Sequence, residues 1–183
     1  GVGTIAGANR RSVLLAAYRF LTECGCRWVR PGAEGEVIPE RPLAALSASI
    51  RETPSYRHRG ICIEGAVSYE NVADMIDWAP KVGMNAYFTQ FRESYTFFER
   101  WYTHRGNPTL EPEPFAVERA RAYLRQAQDE IAKRGLLYHA VGHGWTCEPL
   151  GLPGLSWDFQ TYDISDDTRQ LLAEVNGVRD IWQ

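Results

Sequence analysis

The sequence has no run of basic residues, and its net charge of −3 at pH 7 gives no support to a nucleic-acid partner. It also lacks an apolar run near the roughly 18 residues that a membrane-spanning helix needs. Hydrophobic residues make up 44% of the chain, which is more than a disordered protein carries. We therefore expect a globular fold that has neither nucleic acid nor a membrane as its partner.

Cysteine is scarce, since the chain has four, and no two of them form the Cys-x-x-Cys pair that zinc sites commonly use. Cys24 and Cys26 stand too close in sequence to form a comfortable disulfide. Buried thiols are the simplest expectation for all four residues. A bridge between Cys62 and Cys147 is left open.

The first 53 residues are predicted to be the end of a small α/β domain. We expect Ser12 to cap a helix with apolar residues at helical spacing, and Gly25 to end it. Residues 26–29 follow as a short strand, and 37–39 are compatible with an edge strand. This part is too small to bury a core alone.

The pattern changes after residue 53, where strands and helices begin to alternate. Strands are predicted at 59–65, 85–91 and 135–141, with helices at 68–79 and 117–131 between them. A long loop rich in proline and aromatic residues is predicted from about 94 to 114. A last helix is expected to open at Ser165 and to run through Val175.

Strand, helix, strand, helix, strand with right-handed crossovers predicts parallel βαβαβ, which occurs both in open doubly wound sheets and in closed (β/α)8 barrels. No Gly-x-Gly-x-x-Gly turn follows the first of these strands, so a dinucleotide cofactor is not expected. The predicted fold is α/β: residues 54–183 form the first three β/α units of a (β/α)8 TIM barrel, and residues 1–53 precede them. A complete barrel takes about 250 residues, so we expect a portion of a larger enzyme.

Polar and aromatic side chains follow the three predicted strands, where barrel enzymes place their active sites. Glu64 could accept hydrogen bonds from sugar hydroxyls, although a helix-cap or salt-bridge role is equally compatible. Arg92 could clamp a hydroxyl or carboxylate, or pair with a nearby glutamate. His143 stands between two glycines, and a core histidine bonded to a carbonyl is its alternative. Trp145 offers an aromatic face on which a sugar ring can stack.

A metal site is the remotest alternative for this part of the chain. His139 and His143 would point to the same side of one strand, but no third ligand is obvious. No metal and no other cofactor are therefore predicted.

Several stretches of the sequence resemble known glycoside hydrolases. They resemble the end of the small N-terminal domain and the first barrel strand of family 20 β-N-acetylhexosaminidases, family 67 α-glucuronidases and their uncharacterised bacterial relatives. The stretches are residues 7–21, Gly25-Cys26-Arg27-Trp28, Pro31-Gly32 and Arg57-His58-Arg59-Gly60-Ile61-Cys62-Ile63-Glu64. Gly142-His143 is similar to the Pro-Gly-His that ends the third strand in family 20, but Val141 stands in place of the proline.

The resemblance implies hydrolysis of O-glycosidic bonds. From their positions after the predicted strands, we expect Glu64, Arg92, His143 and Trp145 to line the sugar subsite. His143 would orient the catalytic carboxylates, which family 20 carries after the fourth strand, beyond this chain. Such a portion is expected to be inactive alone. The alternative is a carbohydrate-binding protein that keeps the barrel without the chemistry. Three units of an open barrel would expose strand edges, so self-association is also expected.

Overall fold

The computed structural model describes residues 2–62, 68–89, 95–104, 106–140, 173–175 and 178–180. Four α-helices and seven short strands lie in these ranges. In chain order they are α1 (Arg10–Glu23), β1 (Arg27–Trp28), β2 (Glu36–Val37), β3 (Gly60–Cys62), α2 (Tyr69–Lys81), β4 (Ala86–Thr89), α3 (Tyr95–Tyr102), α4 (Val117–Lys133), β5 (Leu137–Ala140), β6 (Ala173–Val175) and β7 (Val178–Asp180). None of the helices in these ranges is long and apolar enough to cross a membrane.

The central sheet is parallel, and its strands β3, β4 and β5 lie side by side in chain order. The other two sheets are antiparallel pairs, one of β1 with β2 and one of β6 with β7. The predicted α/β class is therefore confirmed, with a small parallel sheet of three strands.

Glycine caps lead helices α2 and α4 directly into the next strand. Gly83 and Gly135 adopt φ angles of 85° and 63°, in the left-handed region that other residues rarely occupy. The amide after each glycine then donates to a carbonyl five residues back, at 2.9 Å from Met84 to Ala79 and 3.1 Å in the second cap. This hydrogen-bond pattern ends a helix and turns the chain back along it, so β4 and β5 begin within three residues of their glycine.

The core lies between the helices and one face of the parallel sheet. Ile76 of α2 and Ile131 of α4 are 0% and 1% exposed, and Tyr87 of β4 is 2% exposed. Ile61 of β3 belongs to the same buried cluster. Because side chains alternate along a strand, the residues next to Ile61 and Tyr87 face the other side of the sheet.

The segment from residue 2 to residue 53 packs against α2 and α4 through polar contacts. The indole N–H of Trp78 donates to the Trp28 carbonyl at 2.8 Å, and Lys81 pairs with Glu36. Arg11 donates to the carbonyl of Gly135 at 2.8 Å. The division at residue 53 stays a prediction, and these bonds cross it.

Helix α1 begins earlier than the sequence suggested, and its N-cap is Asn9 rather than Ser12. The Asn9 carboxamide oxygen accepts hydrogen bonds from the Ser12 amide at 3.0 Å and the Ser12 hydroxyl at 3.1 Å. Ser12 is thus the third helical residue. Asparagine is as good a cap as serine. Because Asn9 precedes Ser12 by three residues, α1 is about one turn longer at its start than predicted.

Helix α3 occupies part of the predicted loop from 94 to 114, so that prediction is wrong for residues 95–102. Its sequence is rich in aromatic residues, which have low intrinsic helix propensity. Tertiary packing stabilises the helix despite this low propensity, because the side chains of Phe98 and Tyr102 are buried, with 4% and 7% of their surface exposed. Tyr95, Phe98 and Tyr102 follow a spacing of three and four residues, which is the helical signal in this stretch.

The last predicted helix is wrong at its end, where residues 173–175 form strand β6. Strand β6 pairs antiparallel with β7, and the register joins Val175 to Val178. Asn176 and Gly177 stand between them in the sequence, and Asn-Gly is a strong sequence signal for a two-residue hairpin. In the sequence, the spacing of Leu171, Leu172 and Val175 favours a helix, and strand pairing overrides this signal at Val175.

Candidate functional site

The three strands of the parallel sheet end at one edge, which we call the carboxyl edge. In the register, Cys62 lies opposite Phe88, and Phe88 lies opposite His139. Thr89, the last residue of β4, lies opposite Ala140, the last residue of β5. The chain therefore leaves all three strands from the same side, which is where parallel α/β folds bind their ligands.

The four residues predicted to surround a sugar, Glu64, Arg92, His143 and Trp145, all lie outside the described residues. In sequence, Glu64 follows the end of β3 by two residues. Arg92 and His143 each follow the end of their strand by three, and Trp145 follows by five. The structure shows that the strands preceding these residues end at the same edge of the sheet.

One face of the sheet is turned away from the buried cluster, and we call it the open face. It carries Cys62, Phe88 and His139, which occupy one row across the three strands. Cys62 is exposed, while Phe88 and His139 are half-buried. The sequence predicted buried thiols, and this is correct for Cys24 and Cys26 but wrong for Cys62, because the alternation that buries Ile61 turns its neighbour to the open face.

His139 is enclosed by rings on the open face. The His58 ring meets it edge-on, with centroids 5.6 Å apart, and the Phe88 ring stacks at 6.4 Å. His58 comes from the segment ahead of β3, so that segment reaches across the open face. Neither His58 nor Phe88 was singled out by the sequence, although Phe88 lies within the predicted strand 85–91 and His58 directly precedes the predicted strand 59–65.

A small polar group lies on the opposite, helix-covered face near the carboxyl edge. The hydroxyls of Thr89 and Tyr138 are 2.6 Å apart, and the Gln128 carboxamide donates to the Tyr138 hydroxyl at 3.3 Å. These bonds join the end of β4 to β5 and α4. They satisfy polar groups that are half-buried, which is a structural role.

An aromatic layer packs helix α3 against the beginnings of α2 and α4. The rings of Tyr102 and Phe115 stack in parallel with centroids 5.0 Å apart, and those of Tyr69 and Tyr123 stack at 4.6 Å. Phe98 meets Tyr123 edge-on at 5.5 Å. Such pairs add about 0.5–1.5 kcal/mol each beyond the area they bury.

A cation covers this aromatic layer. The Arg119 guanidinium carbon lies 4.3 Å from the centroid of Tyr102 and 5.1 Å from that of Phe115. Arg119 also donates to the Tyr123 hydroxyl at 3.0 Å and pairs with Glu113 at 3.3 Å. Arg119 thus combines a cation–π contact with polar bonds to Tyr123 and Glu113.

The N-terminus of α2 is capped by two hydroxyls. The Ser68 hydroxyl accepts the Asn71 amide at 3.1 Å, and the Tyr102 hydroxyl accepts the Tyr69 amide at 3.2 Å. The Glu70 carboxylate accepts from the same Tyr102 hydroxyl at 3.2 Å. A phosphate site would need these amides to point at the ligand, so this terminus is not built like one.

Burial raises the pKa of three tyrosines around the sheet and the aromatic layer. It is the largest influence on Tyr87 in the core and on Tyr102 and Tyr69 in the layer. At neutral pH these hydroxyls are protonated and able to donate. Tyr102 can therefore donate to Glu70 while its oxygen accepts from the Tyr69 amide.

No group of three or more His, Cys, Asp or Glu side chains that could hold a metal occurs in the part of the chain that the structure describes. His139 is within it and His143 is not, so the two-histidine alternative stays a hypothesis. The rings next to His139 belong to His58 and Phe88.

Comparisons with known proteins identify neither a family nor a function for the chain. No family model, no curated protein and no solved structure matches the chain.

Proposed function

We propose that the chain belongs to a carbohydrate-active enzyme that hydrolyses O-glycosidic bonds, and that β3, β4 and β5 begin a (β/α)8 barrel. The observation that carries the proposal is the parallel sheet whose strands follow chain order and end at one edge. Successive strands of a barrel are arranged in this way, and their carboxyl ends hold the active site.

In this proposal Glu64, Arg92, His143 and Trp145 converge on one sugar, because each follows a strand end at the carboxyl edge. Glu64 accepts hydrogen bonds from hydroxyls, and Arg92 donates to them. Trp145 stacks on the CH-rich face of the ring. His143 orients the acid and the second carboxylate that glycoside hydrolysis requires, which lie elsewhere in the enzyme.

A sugar titration tests the proposal. The chain is titrated with N-acetylglucosamine and with glucuronic acid, the sugar types of the two families that it resembles, and binding is followed by calorimetry. We expect one of them to bind, and Trp145→Ala to weaken its affinity about tenfold, as for the loss of ~1.4 kcal/mol of stacking.

Trp101→Ala is the matched control. Trp101 lies on α3 and is 47% exposed, so its removal takes away a similar aromatic surface without a predicted sugar contact. The Trp101→Ala variant should bind the sugar with the same affinity as the unchanged chain. Normal sugar affinity in Trp145→Ala would count decisively against the proposed subsite.

The alternative is a protein that binds carbohydrate on the same fold without hydrolysing it. The two functions differ in one sequence feature of the longer protein. Paired Asp or Glu residues after the next strand favour the enzyme, and their absence there favours binding alone.

A further inference from the structure

Two histidines that are far apart in the sequence meet on the open face of the parallel sheet. His139 lies on β5 and His58 lies in the segment ahead of β3, yet their ring centroids are 5.6 Å apart. The hydrogen bonds and ion pairs of the described residues include none made by either imidazole. His58 is exposed and His139 is half-buried, so a small ligand can reach the pair from solvent.

The backbone on both sides of His58 is held in place. The buried carboxamide of Asn85 accepts the Arg59 amide and donates to the Arg57 carbonyl, both at 2.8 Å. His139 is held by the pairing of β5 with β4. Both imidazoles therefore start from fixed backbone, and little conformational freedom is lost when they bind one ligand together.

The separation of the two rings fits a shared metal ion. Zinc binds an imidazole nitrogen at about 2.0–2.1 Å, which puts the ion about 3.2 Å from the ring centre. Two imidazoles on one tetrahedral ion then have centres about 5.2 Å apart, and the centroids of His58 and His139 are 5.6 Å apart. Because a ring can turn about its metal–nitrogen bond, the interplanar angle of 74° is compatible with this arrangement.

The groups around the pair select the kind of ion. In the part of the chain that the structure describes, no third His, Cys, Asp or Glu completes a metal cluster. Cys62 lies in the same row as His139 but two strands away, which is about 10 Å. Two imidazoles without a carboxylate favour borderline ions such as Zn²⁺ and Cu²⁺ over Mg²⁺ and Ca²⁺, which require oxygen ligands.

We propose that His58 and His139 bind one divalent transition ion of the zinc or copper class, through one nitrogen of each imidazole. With two protein ligands, the ion keeps coordination positions for water or for a small ligand with oxygen or nitrogen donors. The inference is independent of the proposed function, since neither histidine belongs to the proposed sugar subsite. The sequence does not indicate this site, because its two ligands are far apart in the chain.

A zinc titration followed by calorimetry tests the site. Metals bind imidazole in its neutral form, so the titration is done at about pH 8, with Mg²⁺ as the comparison ion. We expect one Zn²⁺ to bind per chain and Mg²⁺ to give no binding heat. His58→Gln and His139→Gln should each weaken zinc binding by at least about tenfold, since each removes one of two protein ligands.

The other two histidines and the exposed thiol provide matched controls. His104→Asn removes an imidazole from the turn after α3, where φ is 52° and asparagine is well tolerated. His143→Gln and Cys62→Ser remove two further groups of the kinds that bind zinc. All three variants should bind zinc with the same affinity as the unchanged chain.

His58→Cys provides the rescue. A thiolate is also a zinc ligand, so a cysteine at this exposed position should regain the affinity that His58→Gln loses, which a general loss of folding would not allow. Unchanged affinity in His58→Gln or His139→Gln would overturn the inference, as would a chain that takes up no zinc. If Cys62→Ser or His143→Gln abolishes binding while His58→Gln does not, the ion is held elsewhere and the proposed site is wrong.

Discussion

The two edges of the parallel sheet are held by different forces. At the amino edge, where β3, β4 and β5 begin, hydrogen bonds and ion pairs hold the chain. At the carboxyl edge, stacked aromatic rings pack the beginnings of the helices. Directional polar bonds thus fix the strand starts, whereas ring packing is the main contact between the helix starts.

Asn85 is the centre of the amino edge. Its carboxamide oxygen accepts the Arg59 amide, and its nitrogen donates to the Arg57 carbonyl, both at 2.8 Å. Its backbone carbonyl accepts the Leu137 amide at 2.9 Å. One buried asparagine thus ties together the starts of all three strands, and it is 7% exposed.

A chain of charges lies at the same end of the molecule. Asp77 accepts hydrogen bonds from Arg134 at 2.6 Å and from Lys81 at 2.5 Å, and Lys81 also pairs with Glu36. Arg134 pairs with Glu130 in addition. The chain runs from β2 through the end of α2 to the end of α4 and joins residues 2–53 to the rest.

The largest expected effect is on stability at the amino edge. Asn85→Ala leaves the Arg59 amide and the Arg57 carbonyl without their partner, so we expect the free energy of unfolding to fall by about 2–3 kcal/mol. Chemical denaturation measures it. If the two edges have separate roles, the folded variant binds sugar as the unchanged chain does.

Asn107→Ala is the control for this change. Asn107 is exposed and accepts from the amide and hydroxyl of Thr109 at 3.2 Å and 2.6 Å. Water can replace these bonds, so the expected loss is under about 0.5 kcal/mol. Equal losses in Asn85→Ala and Asn107→Ala would break the comparison between the edges.

A smaller effect is expected from pH through Asp77. Burial acts to raise the pKa of this carboxyl, but hydrogen bonds from Lys81 and Arg134 outweigh it and the pKa is lowered. The carboxylate therefore stabilises the fold above its unfolded pKa, near 3.8, and this contribution disappears as pH falls through the lower folded value. Because Asp77 is 40% exposed, solvent screens it, and we expect about 1 kcal/mol.

Asp77→Asn isolates this contribution. The difference in unfolding free energy between the chain and the variant should be constant from about pH 5 to pH 9 and should shrink as the pH approaches 3. Lys81 has a raised pKa, because its bonds to Asp77 and Glu36 outweigh burial, so its own contribution holds below pH 10.5. A difference that stays constant down to pH 3 would show that the Asp77 carboxylate does not act through its charge.

The amino edge of the sheet was largely predictable, because local signals specify it. Gly83 and Gly135 follow the ends of α2 and α4, and apolar spacing marks the buried sides of these helices. The parallel order then follows from alternating strands and helices. Asn85 itself carries no local signal, since its bonds go to residues 26 and 28 positions earlier in the chain.

The carboxyl edge was predicted less well, and the reason is physical. Helix α3 depends on contacts with Phe115 and Tyr123, which are distant in sequence and override the low helix propensity of aromatic residues. The common edge of the strands was foreseen from their order. The residues expected to bind sugar there stay predictions. The capping of α2 by the Tyr102 hydroxyl could not be predicted, because its partners Tyr69 and Glu70 are more than 30 positions away in the sequence.

The smallest expected effect concerns self-association, which would use the outer strands. Within the described sheet, β3 and β5 are the outermost strands. The backbone N–H and C=O groups along the outer side of such a strand can pair with a further strand. Size-exclusion chromatography should show earlier elution as concentration rises. Charged side chains on an edge strand oppose such pairing, so Cys62→Lys at the exposed end of β3 should reduce the shift.

Asn107→Lys provides the matched control for this test, because it adds the same charge at an exposed turn outside the sheet. It should leave the concentration dependence unchanged. If both lysine variants elute like the unchanged chain at every concentration, the association does not involve the edge of β3. If elution is independent of concentration in the unchanged chain, the expectation of self-association is wrong and the three-stranded sheet is stable without a partner.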